Sequence, residues 1–123
     1  MVHTFYGKIR QDRLLGPIFD TAIGDGWTLH LQKMVAFWSS VLLASATYKG
    51  NPMLAHLQFP RVTERHFDRW LELWRETAAQ LCVPSAAAIF VARAEMIGQR
   101  LLYAIDSYHS AANSREGAAQ QAI

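Results

Sequence analysis

His30 and His56 are joined by a stretch that begins as an apolar helix and ends in the turn-forming run Tyr48-Lys-Gly-Asn-Pro-Met-Leu-Ala-His56. His30 and Met34 are one helical turn apart and so project side by side from one face. Gly50 and Pro52 mark the end of that helix and a turn, which lets the chain double back and bring His56 to face His30 across a slot. Such a slot suits a flat macrocycle. A haem iron needs one strong neutral imidazole ligand, whose other ring nitrogen is usually held by a backbone carbonyl or a carboxylate. His56 would supply that imidazole, with His30 as its distal counterpart. Taken singly, each histidine reads as readily as a satisfied core or boundary residue, so the surrounding residues must decide.

The elements that would position this pair are helical. Trp27, Leu31, Met34, Phe37, Trp38, Val41 and Leu42 follow the i, i+3, i+4, i+7 pattern, which predicts a helix from Trp27 to about Ser45 with His30 on its apolar stripe. Residues 52–57 read as a short helical stretch that Pro60 is expected to stop. Upstream, residues 3–11 read as a short helix, and Leu14-Leu15-Gly16-Pro17-Ile18-Phe19 as a tight corner expected to bury Ile18 and Phe19. Thr63, with Glu64 and His66, opens a further helix as its N-cap, and its stripe is Phe67, Trp70, Leu71, Trp74, Ala78 and Leu81. A last helix starts near Pro84-Ser85 and carries Ile89, Phe90, Met96, Ile97, Leu101, Ile105 and Tyr108. Beyond Ser110 no apolar face remains, so residues 1–110 are expected to form a single domain and 111–123 a flexible tail. With no strand-period alternation of useful length, no internal repeat and no Gly-rich phosphate loop, the fold class is all-α.

Composition narrows the function classes. At 123 residues and 51% hydrophobic, the chain has room and material for one core. Its net charge of +2 is spread over interleaved cations and anions, as in Arg61, Glu64, Arg65, Asp68, Arg69 and Glu72. That is a solvated helix face and argues against a nucleic-acid partner. Cys82 is alone and flanked by Leu81 and Val83, which points to a buried thiol and is compatible with a reducing compartment. The N-terminus lacks the apolar stretch of a signal peptide, and the longest apolar run falls short of the ~18 residues a membrane span needs. A cytoplasmic location without a membrane partner is expected. His3, His66 and His109 read as surface residues, and no Cys or acidic pair joins them at zinc-like spacing.

Several stretches taken together resemble the group III truncated haemoglobins of bacteria over residues 5–105. They are Phe5-Tyr6 with Lys8-Ile9-Arg10 and Asp12, the Leu15-Gly-Pro-Ile-Phe19 corner, Trp27-Thr-Leu-His30 through Met34, Phe37-Trp38, the Tyr48-to-His56 run and Phe67-Asp-Arg-Trp70. The resemblance implies a two-over-two helical sandwich around haem b, with His56 as proximal iron ligand and His30 as distal histidine. It also implies Tyr6 as the distal tyrosine, Trp70 as the tryptophan whose indole N–H points into the distal pocket, Phe19 stacked on the haem, and Met34 and Trp38 nearby. Lys33, Arg61 and Arg65 are candidates for the haem propionates by position, and Met96 either touches the haem edge or fills the core. Trp74 and Phe90 read as core. Family chains carry more residues before the Phe-Tyr pair, so Tyr6, near a terminus where helices fray, is expected to be held less tightly than Trp70.

The chemistry implied is binding of dioxygen, nitric oxide or another diatomic. Dioxygen gains partial negative charge on ferrous iron, and a phenol O–H and an indole N–H aimed at it each stabilise that charge by ~1 kcal/mol. His30 could add a hydrogen bond or act as a gate. The same pocket is compatible with nitric oxide dioxygenase or peroxidase chemistry served by a reductase. A cofactor-free helical interaction module is the alternative from another class.

Overall fold

The computed structural model describes the backbone of residues 1–43 and 62–121, and the side chains of 1–42 and 62–107. Among the described residues there are five helices and no strand: α1 (Val2–Gln11), α2 (Gly16–Ile23), α3 (Trp27–Leu43), α4 (Glu64–Leu81) and α5 (Pro84–Gln121). His56, Arg61 and the Tyr48-to-Pro60 run lie outside the described residues.

The α1–α3 pair packs over the α4–α5 pair, α1 meeting both α3 and α4. This is the all-α, two-over-two arrangement the sequence predicts. The core between the layers is aromatic: Phe5 and Trp74 are fully buried, Trp38 stacks on Trp74 at 4.4 Å and 18°, and Phe5 meets Trp74 edge-on at 4.7 Å. Offset and edge-to-face contacts of this kind add to what area burial contributes. Two polar groups carried inside are satisfied, the Trp74 indole N–H donating to the Phe90 carbonyl at 3.1 Å and the Thr77 hydroxyl to the Leu73 carbonyl at 2.7 Å.

Asp12 ties the first layer's corner to the second layer. It ends α1, and its Oδ2 accepts the backbone N–H groups of Leu14 and Leu15 at 3.1 and 3.0 Å. The Arg69 guanidinium, from α4, donates to Oδ1 at 2.7 Å. Burial alone would push the Asp12 carboxyl up; the hydrogen bonds from Arg69, Leu15 and Leu14 and the Arg69 charge outweigh it and hold the group below its ordinary value. Gly16 then starts α2 hard against α1. A Cβ there would sit 2.8 Å from the Arg10 carbonyl oxygen, so only glycine allows the approach.

The corner is therefore more a helix start than a turn, with Pro17 in the first helical turn where its missing N–H costs nothing. It buries Leu15 and Gly16, whereas Ile18 and Phe19 are half-buried. A second correction concerns α5. Its buried face is Ala94, Gly98, Leu101 and Ile105, while Ile89 and Met96 are exposed. The small residues let α5 approach α4 closely, the space at Gly98 opening 3.6 Å from Phe67 and 3.8 Å from Trp70. Leu81, at the end of α4, is also exposed, and Cys82 is half-buried instead of buried. Beyond Ser110 the backbone stays helical to Gln121. No helix among the described residues is long and apolar enough to cross a membrane.

Candidate functional site

Three helices converge on Tyr6. The α1 periodicity turns Val2, Phe5, Tyr6 and Ile9 inward, and Tyr6 is 6% exposed. Its ring meets Phe5 at 5.0 Å, Phe19 of α2 at 6.0 Å, and Trp27 and His30 of α3 at 6.0 and 4.9 Å. The His30 ring stands edge-on to Tyr6 at 89° and to Trp27 at 88°, with its Nε2 shielded from solvent. Although Tyr6 stands in the first helix, close to residue 1, the rings of three helices close around it. Burial raises the Tyr6 phenol well above its ordinary pKa, so it stays an O–H donor at neutral pH.

Phe19 joins this cluster to an apolar cleft of about 50 Å³, lined by Leu15, Ile18, Phe19, Val62, His66, Phe67, Trp70 and Ile105. Trp70 is half-buried there, its ring parallel to Trp74 at 6.1 Å and edge-on to Phe5 at 5.7 Å. Tyr6, His30, Phe19 and Trp70 thus share one neighbourhood, three in direct ring contact and the fourth along the cleft wall. Met34 is half-buried against the core. Trp38, 5% exposed, is occupied by its stack on Trp74 and serves the core.

The charged candidates stand apart. Lys33 is exposed on α3. Arg65 is exposed and lines a different surface, a charged groove shared with Lys8, Asp12, Arg69 and Glu72. Met96 is 41% exposed and does not line the cleft. Among the described residues no group of three or more His, Cys, Asp or Glu could hold a metal ion. The cleft suits an organic cofactor. Its walls are hydrocarbon and aromatic, and the phenol of Tyr6 and the imidazole of His30 adjoin it behind Phe19 as polar groups that need no charge.

Sequence reasoning missed Phe67, Ile105 and His66 as lining residues. The first two lie on the stripes correctly read as apolar and simply face the cleft. His66 reads as a surface residue by type, yet it is half-buried and stands three residues after Thr63, in the place Glu or Gln takes in a capping box. That spacing was the available signal.

No protein-family model matches the chain. Among curated proteins it is similar to a group 3 truncated hemoglobin of Campylobacter jejuni, 35% identical over 109 residues that cover 84% of this chain and 86% of that protein. Among solved structures it is similar to the crystal structure of the group III truncated hemoglobin from Campylobacter jejuni. There the TM-score is 0.80 at 33% identity, over 85% of this chain and 84% of the other.

Proposed function

The chain belongs to the group III truncated haemoglobins, and on that premise we propose that it binds haem b and, through it, dioxygen, nitric oxide or another diatomic ligand. The observation that carries this reading is the buried edge-on contact of Tyr6 with His30, 4.9 Å between ring centroids, joined to the apolar cleft through the ring contact of Tyr6 with Phe19. Haem, when bound, supplies an iron that takes up the diatomic. His56 would hold the iron from the proximal side, and Phe19, Phe67 and Ile105 would pack on the macrocycle. Tyr6 keeps its proton and donates toward the ligand side. His30, between Tyr6 and Trp27, walls that space and excludes water from it. Trp70 contributes an indole N–H from the cleft wall, its ring held by Trp74 and Phe5.

Two neutral donors in a water-poor pocket favour retention of a ligand that has gained negative charge. Stopped-flow dissociation of dioxygen tests this. Tyr6→Phe removes one donor with almost no change in volume and is expected to speed dissociation about fivefold. Wild-type rates in that variant would remove Tyr6 from the ligand's surroundings.

A further inference from the structure

His66 takes part in two structures at once. As the third residue of α4 it closes the capping box: the Thr63 backbone N–H donates to His66 Nδ1 at 3.0 Å, and the Thr63 hydroxyl oxygen lies 3.0 Å from the same atom. It also lines the apolar cleft beside Val62, Phe67 and Trp70. A backbone N–H can only donate, so Nδ1 carries no proton while this bond stands, and the neutral ring keeps its proton on Nε2. In that tautomer Nε2 has no lone pair for a metal. What it offers is a hydrogen bond.

A donor set in a wall of hydrocarbon and aromatic groups is best matched by an acceptor that the cleft's occupant brings with it. Haem carries two such acceptors, its propionate carboxylates. The nearest cation in sequence, Arg65, instead lines the charged groove with Asp12, Arg69 and Glu72, and Lys33 is exposed on α3. We propose that His66 is a positioning residue for the cofactor: its Nε2–H donates to a haem carboxylate, and the Thr63 cap fixes the tautomer that makes this possible. The proposal rests on the haem-binding reading above. It links the start of α4 to the orientation of the macrocycle, because the residue that caps the helix is the one that holds the cofactor's edge.

Reconstitution of the full chain with haem and, separately, with haem dimethyl ester, whose carboxylates are blocked, tests it. The rate of cofactor loss to a scavenging apoglobin is followed by Soret absorbance. His66→Leu is expected to speed loss of haem about tenfold and to leave loss of the ester within about twofold of wild type, the difference expected for one charge-assisted hydrogen bond. His66→Gln, whose amide can accept from the Thr63 N–H and still donate, is expected to keep haem loss near the wild-type rate. Equal acceleration for haem and ester would show that His66 acts only as cap and wall, and would overturn the proposal, as would no acceleration at all. A wild-type chain that develops no Soret band with hemin would instead overturn the haem-binding reading itself.

Discussion

Tyr6 is enclosed by Phe5, Phe19, Trp27 and His30, so its ring is held by packing from three helices. Trp70 is half-buried and held chiefly by Trp74 and Phe5. We therefore expect Tyr6→Phe to change dioxygen dissociation at least as much as Trp70→Phe, measured side by side by stopped flow; the reverse order would place the main donor on α4. That Tyr6, His30, Phe19 and Trp70 belong to one neighbourhood was legible from the motifs that carry them and from their aromatic surroundings. His66 was hidden by its type, since an isolated histidine between charged residues looks solvated until the capping geometry is seen. Arg65 was misleading for a similar reason: sequence proximity to the cleft-lining residues does not say which side of a helix a long side chain leaves from.

At the scale of elements, the α1–α2 corner and its bond to α4 hold Phe19 and Tyr6 in register. Gly16→Ala places a methyl 2.8 Å from the Arg10 carbonyl oxygen, and since that neighbour is backbone it cannot yield without moving a helix. A loss of about 1–3 kcal/mol is expected by urea denaturation; an unchanged midpoint would mean the corner can open freely. Asp12 gives the corner an acid limit. Its folded pKa lies below the unfolded value of about 3.9, so its contribution to stability is complete above that value and is lost as pH falls through the folded one. Asp12→Asn should cost about 1–2 kcal/mol at pH 7 and flatten this part of the acid dependence, read from thermal melts across the acid range. The helices themselves were readable from periodicity. The ion pair was not, because Asp12 and Arg69 are 57 residues apart and only the docked layers bring them together. Likewise the α5 stripe was read only in part: Leu101 and Ile105 are buried as expected, but Ile89 and Met96 are exposed and close packing selects the small residues Ala94 and Gly98.

Across the whole molecule, Trp74 joins the layers, touching Phe5 of α1, Trp38 of α3, Trp70 of its own helix and Phe90 of α5. Trp74→Ala is expected to cost about 3–5 kcal/mol in denaturation experiments, with loss of hemin binding as the cleft wall at Trp70 loses its support. A cofactor that binds only the folded chain adds stability by mass action, so hemin should raise the melting temperature by an amount that grows with the logarithm of its free concentration, whereas a cofactor-free interaction module would melt unchanged. The all-α class was legible from periodicity and the aromatic centre from the tryptophans on the helix stripes, whereas the two-over-two packing came from the resemblance to the group III truncated haemoglobins. The central claim is that this fold holds haem through His56, and absorbance spectroscopy of the purified chain titrated with hemin tests it most directly. The expected result is an intense Soret band that saturates at one equivalent and is weakened or altered in His56→Ala; no Soret band, or one that His56→Ala leaves untouched, would contradict it.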